Sequence, residues 1–314
     1  MNTEMQKRFD SGEYKAPSAD DPIVVDENAK LTFVVWGDCQ VSNYMFAREC
    51  SFRTAVLDVG NIEGKLDALV ICGDIAENGL RSEYMVTADL LNSISSKFEH
   101  FIGMPGNHDI RFRRYKRQLA RFTAFLKNVG GAALPQHNYS YSLKINGYSF
   151  IVMGADRSSF ESAYISQRQL DWLDAELAEA SKDGKPVFVF NHQTLKGMNG
   201  LPYTWMGKGK WRGSVGAQSD KIRAIFEKYG NVIFITGHLH FGTSRFAFED
   251  SGRFKALSVQ TVGAGNHGDC SYDAQGYVVS VYEDRIVMKA RVFGEGRFVE
   301  STVPCSEITV RLGE

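Results

Sequence analysis

A chain of 314 residues, 43% of them hydrophobic and 23% charged, has the composition of a globular protein able to bury a large core. Its 36 Lys and Arg against 37 Asp and Glu leave a net charge of −1, which excludes a global basic field for nucleic acid or an acidic membrane. Five dispersed cysteines, Cys39, Cys50, Cys72, Cys270 and Cys305, without a CxxC pair, speak against a disulfide framework or a thiolate zinc site.

In chain order, residues 1–30 are expected to form a polar arm ahead of a single domain spanning 31–314. The arm has no apolar h-region, and no later run approaches the roughly 18 apolar residues of a membrane span, so a cytoplasmic protein is expected. Short runs rich in Val, Ile and Phe predict strands at 31–36, 67–72, 100–104, 149–153, 186–190 and 231–236. Between them, 81–98 and 166–180 carry apolar residues at helical spacing, and Ser166 with Gln169 three positions on predicts a capping box. Beyond about residue 244, strand succeeds strand, at 255–262, 276–282, 285–293 and 297–303. An α/β body finished by a β-rich tail predicts two packed sheets flanked by helices.

The residues at the C-terminal end of each strand set the chemistry. LTFVVWG runs into Asp38-Cys39-Gln40, LDALVICG into Asp74, HFIGMPG into Asn107-His108-Asp109, PVFVF into Asn191-His192, and NVIFITG into His238-Leu239-His240. A single Asp after Gly is ordinarily a turn residue, and a single His after a strand is ordinarily just hydrogen-bonded. Five such strands together point to a site, because parallel strands share one C-terminal edge and α/β sheets bind there. Side chains alternate along a strand, so His238 should converge with His240, and Asp38 with Gln40. Asp38, Gln40, Asp74, Asn107, His192, His238 and His240 offer enough donors for two divalent cations about 3.5–4 Å apart, one carboxylate bridging them. Oxygen and imidazole donors without thiolate suit manganese, iron, zinc or cobalt.

The ordered set GD, GDxxE, GNHD, NH and GHLH, over residues 37–240, resembles the calcineurin-like metallophosphoesterase superfamily. The resemblance implies a four-layer αββα sandwich of two mixed β-sheets flanked by helices, and phosphate-ester hydrolysis by in-line attack of a metal-bound hydroxide. It implies that Asp74 bridges the two ions, that Asp38 and His240 hold the first, and that Asn107, His192 and His238 hold the second. His108, between Asn107 and Asp109, should project toward an ester oxygen as general acid, with Asp109 fixing its tautomer. The family usually has DxH where this chain has Asp38-Cys39-Gln40. The DxQ form resembles manganese-dependent ADP-ribose/CDP-alcohol diphosphatases of the same superfamily, and a neutral amide oxygen predicts a more labile first metal with a preference for manganese.

The segments GDIAENGLRSEY and GNHDIR resemble the bacterial cyclic-nucleotide phosphodiesterase-like branch, and Arg111 is expected at a phosphate oxygen. The basic, glycine-rich segment 195–216 comes after His192, and its Trp205, Lys208 and Trp211 are candidates to stack on a base and pair with its phosphate. VGAGNHGDC, with His267 and Asp269, is expected at the pocket border or as an ordinary glycine-rich turn. The expected substrate is a small-molecule phosphate ester, a nucleotide among the candidates, bearing a phosphodiester or nucleotide diphosphate linkage. A phosphomonoesterase, including a protein phosphatase, is the enzymatic alternative. Members resembling the retromer scaffold subunit are non-catalytic, but they lack the histidine that GNHD keeps here. A nuclease is disfavoured by the near-neutral charge, and oligomeric state is not legible in the sequence.

Overall fold

The computed structural model describes residues 16–112, 114–210 and 212–313. Its elements in chain order are β1 (Leu31–Trp36), α1 (Phe46–Gly60), β2 (Leu66–Ile71), α2 (Arg81–Ser93), β3 (Phe98–Gly103), α3 (Asn107–Ile110) and α4 (Tyr115–Asn128). Next come the β4–β5 hairpin (Tyr141–Ile145, Tyr148–Val152), α5 (Gln167–Ala180), β6 (Val187–Asn191), α6 (Ser219–Tyr229) and β7 (Val232–Thr236). The tail consists of β8 (Phe248–Asp250), β9 (Lys255–Ser258), β10 (Gln275–Val281), β11 (Arg285–Val292), β12 (Arg297–Phe298) and β13 (Glu307–Arg311).

Two mixed sheets result. The first runs β12-β11-β10-β1-β2-β3 with β13 also on β11, and the second runs β4-β5-β6-β7-β9-β8. Within them β1, β2 and β3 are parallel, as are β5, β6, β7 and β9. Period-2 alternation sends Phe33 and Val35 of β1 into the layer between the sheets and Val34 and Trp36 outward under helices. Phe33 meets Phe150 and Phe188 of the facing sheet edge-on, with ring centroids 5.4 and 5.1 Å apart. Phe52, Leu91 and Phe122 from α1, α2 and α4 cover one outer face, and Leu173, Ile222 and Phe226 from α5 and α6 belong to the same outer apolar layer as Val189 and Phe234 of the other sheet. This is the expected αββα sandwich, and strands covered on both faces explain the nearly unbroken apolar runs.

Several local expectations shift. Ser166 Oγ does accept from Gln169 N at 3.3 Å, but the Gln169 carboxamide turns to Gly154 and Asp156 instead of closing a capping box. The β4–β5 hairpin turns on Asn146-Gly147, at φ 50° and 80°, as a type I′ turn requires. The predicted strand 297–303 shrinks to β12, and β8 and β13 flank the tail. Within the expected arm, Ile23 is buried and Val25 N donates to Glu63 O at 3.0 Å, so residues 16–30 lie against the body. Residues 1–15 lie outside the described residues.

Candidate metal centre

The five strands that lead to the expected ligands belong to two sheets, not one: β1, β2 and β3 to the first, β6 and β7 to the second. Their C-terminal loops meet across the sandwich, where His238 N donates to Asp38 Oδ2 at 2.8 Å and His192 Nδ1 lies 2.7 Å from Cys72 O. The loops also depart from the expected strand alternation. Strands β1, β2 and β7 end at Trp36, Ile71 and Thr236, and beyond them Asp38, Gln40, Asp74, His238 and His240 all take positive φ, between 31° and 73°. Left-handed backbone, costly for non-glycine residues, aims these side chains inward; such strain concentrates at functional sites. The motif glycines provide room. A Cβ on Gly106 would lie 2.1 Å from Asp74 Oδ1, and one on Gly73 2.5 Å from His192 Nδ1.

The converging atoms fit a cation. His192 Nδ1 lies 2.7 Å from the Cys72 carbonyl, which can only accept, so this nitrogen carries the proton and Nε2 presents a lone pair. Around Nε2 stand Asn107 Oδ1 and His238 Nδ1 at 3.1 Å and Asp74 Oδ2 at 3.3 Å. Asp38 Oδ1 lies 3.1 Å from His240 Nε2 and 3.8 Å from His192 Nε2. Such a nest of acceptors is stable only around positive charge. Without a metal a proton has to serve: burial opposes it, yet the Asp74 and Asp38 carboxylates push His192 up to about 10. Burial opposes the same trend at Asp74, but His192 and His108 hold its carboxyl well below the usual range. His238 is pushed down, by burial first and then by His192. Gln40 Nε2 approaches Asp74 Oδ2 at 3.4 Å, while Gln40 Oε1 and His238 Nε2 are buried without a hydrogen-bond partner. All seven expected ligands are thus brought together, and the donor set fits divalent metal.

His108 does not use Asp109, which corrects the expectation for that pair. Both Asp109 oxygens are occupied, Oδ2 by Gly106 N (2.8 Å) and Ile75 N (3.1 Å), Oδ1 by Ala76 N and the Tyr84 hydroxyl (2.9 Å each). Asp109 therefore pins the GDxxE loop to the GNHD loop. The carboxylate beside His108 is Glu77, the last residue of GDxxE, with Oε2 3.1 Å and its carbonyl oxygen 3.0 Å from His108 Nδ1. Glu77 also pairs with Arg48, and with Arg111 at 3.4 Å. Burial works against it, but Asp74 and Glu77 raise His108. Its Nε2 lies 3.8 Å from Asp74 Oδ2, on the side of the ligand cluster. Arg111 stacks on Phe112 with 4.4 Å to the ring centroid, and Phe160 lies 5.8 Å away. Glu161, which carries no motif, reaches Asn107 Nδ2 at 3.1 Å.

The chain matches the calcineurin-like phosphoesterase family over residues 31–242, about two-thirds of its length. It belongs to that family. Relatives include "Probable glycerophosphodiester phosphodiesterase GpdQ" of Arcobacter nitrofigilis, 24% identical over 59% of this chain and 60% of that protein. Another is a 3′,5′-cyclic-nucleotide phosphodiesterase of a Nostoc species, 23% identical over 60% of this chain and 62% of that protein. The matches therefore span about 60% of the length of these relatives. A dimetal phosphatase from Danio rerio shares the fold, with TM-score 0.63 and 17% identity over 91% of this chain and 100% of that one. The family uses a dinuclear divalent metal site.

In this calcineurin-like phosphoesterase the 195–216 segment behaves differently from expectation. Trp205 stacks on His238, with ring centroids 4.7 Å apart and 28° between planes, so one indole face is occupied by a candidate ligand histidine, not offered to a base. Tyr203 is exposed instead, packed beside Phe241 and Phe246 at 5.9 and 5.4 Å. Lys208 is exposed, and Trp211 lies outside the described residues. His267 Nε2 contacts Leu239 O at 3.0 Å and its ring meets Phe241, so it buttresses the GHLH loop. Among the described residues no cysteine is bonded to another, and no helix is long and apolar enough to cross a membrane.

Proposed function

We propose that this phosphoesterase hydrolyses small phosphodiesters or nucleotide diphosphate linkages, with two divalent ions, manganese foremost, held by Asp38, Gln40, Asp74, Asn107, His192, His238 and His240. The observation that carries it is the convergence of the His192 Nε2 lone pair with Asp74, Asn107 and His238, beside a histidine whose Nδ1 faces a carboxylate. Bound metal neutralises phosphoryl oxygens and lowers the pKa of water. The protein's own residues do the rest. Asp74 and the imidazoles orient the anion-binding face, Arg111 with its planar guanidinium takes a peripheral phosphate oxygen, and His108 donates a proton from Nε2 to the departing ester oxygen. Glu77, by facing Nδ1, keeps the proton-bearing ring oriented. The relatives named for glycerophosphodiester and cyclic-nucleotide cleavage favour a diester with an alkoxide leaving group.

That choice has a test. An alkoxide needs a proton to depart and p-nitrophenolate barely does, so His108→Ala should lower kcat on a 3′,5′-cyclic nucleotide or glycerophosphodiester by roughly 10²–10⁴-fold. The loss on bis(p-nitrophenyl) phosphate should be far smaller. Equal losses on both would remove the general-acid role and leave His108 as a binding residue.

A further inference from the structure

Asn107 presents a problem of orientation. A primary amide has an oxygen at one end and two N–H donors at the other, and only the oxygen can face a cation. Asn107 Oδ1 points to His192 Nε2 at 3.1 Å, and its Nδ2 donates to Glu161 Oε2 at 3.1 Å. A carboxylate accepts and never donates, so Glu161 selects which end of the amide turns inward. Glu161 is itself held. The segment that carries it, between β5 and α5, is closed by Asp156 N donating to Tyr164 O at 2.8 Å. Its own carbonyl accepts from Gln193 Nε2 at 3.3 Å, and Gln193 is next in the chain to the ligand His192. The support for one ligand is thereby tied to the backbone beside another.

We propose that Glu161 is the positioning residue for Asn107, locking the amide oxygen toward the second metal position. This rests on the dinuclear metal reading and assigns a role to a residue outside every motif of the sequence. Partners that orient a metal ligand typically contribute 10–100-fold in metal affinity, and Glu161 is in the right place to do so.

The experiment is a calorimetric titration of chelator-stripped protein with manganese, comparing the native chain with Glu161→Gln and Glu161→Ala. The native chain should take two equivalents. Glu161→Ala should bind one of them about 10–100-fold more weakly and leave the other within about twofold. Glu161→Gln, whose carbonyl oxygen still accepts from Asn107 Nδ2, should stay near native. If alanine loosens the segment, as a lowered melting temperature would show, Glu161→Met keeps the stem without the acceptor and should give the same selective loss. Two native-strength equivalents in the folded alanine or methionine variant would overturn the positioning role while leaving the dinuclear reading intact. Equal weakening in Glu161→Gln would overturn it too, since charge and not acceptance would then matter. Fewer than two equivalents in the native chain would remove the dinuclear reading and this inference with it.

Discussion

Asp74→Ala is expected to abolish turnover and, with it, the rise in melting temperature that manganese gives the native protein. Asp74 touches both halves of the cluster: Oδ2 is 3.4 Å from Gln40 Nε2 and 3.3 Å from His192 Nε2, and Oδ1 accepts from His108 N at 2.7 Å. A ligand that binds only the folded state at 100 times its Kd stabilises it by about 2.7 kcal/mol, and the variant loses that gain. Without metal the balance differs. The variant leaves the His108 N–H unsatisfied, a cost of about 1–3 kcal/mol. It also takes from buried His192 and from His108 the carboxylate that raises both, a loss only partly offset by relief at Asp109, whose carboxyl is raised by burial and by Asp74. The metal-free melting temperature should therefore fall as well, and the loss of the manganese-induced rise is read against that lower baseline. Scanning calorimetry with and without manganese separates the two, and a manganese-induced rise that survives in Asp74→Ala would contradict the bridging role.

Asp58→Ala should destabilise the fold by about 3–5 kcal/mol, a large part of a typical domain's stability. Asp58 on α1 and Arg291 on β11 are almost completely excluded from solvent, at 1% and 0% exposure. Arg291 Nε and Nη2 donate to the two Asp58 oxygens at 2.7 and 2.8 Å, under the Phe298 ring. Removing the carboxylate strands a buried guanidinium. Burial pushes the Asp58 carboxyl up despite Arg291, and apolar side chains of similar volume often replace a buried ion pair without loss of stability. Asp58→Leu combined with Arg291→Met should therefore regain most of the loss in urea unfolding. A single variant as stable as the native chain would show that water reaches the guanidinium.

The candidate ligand set is legible in the sequence because Asp38, Asp74, Asn107 and His238 each come directly after a glycine, His192 directly after an apolar strand, and Gln40 and His240 two positions beyond Asp38 and His238. Two of those glycines leave space that Asp74 and His192 occupy. How the ligands converge is not legible, since positive φ at Asp38, Gln40, Asp74, His238 and His240 is a property of loop closure across two sheets that no periodicity reports. Asp109 looks like the partner of His108 because it is adjacent in sequence. On the short helix α3, neighbouring side chains diverge, and Asp109 goes to four donors on the other side. Glu77 is readable in GDxxE but carries no role there. Glu161 and the stacking of Trp205 are tertiary contacts without a local signal. Helix α1 gives no clear helical pattern because Glu49, Ser51, Thr54 and Asp58 are buried alongside its apolar residues, which erases the contrast between faces. The β4–β5 turn, Asn146-Gly147, is a legible hairpin signal that the strand pattern around it obscures.

Dinuclear metal catalysis is decided by hydrolysis of bis(p-nitrophenyl) phosphate by purified, chelator-stripped protein before and after manganese is restored, with bound metal counted in the same samples. The stripped protein should show no turnover, and turnover should be full at two equivalents of manganese per chain. Turnover that persists without metal, or a protein that binds two equivalents and cleaves neither this diester nor a cyclic nucleotide, would refute it.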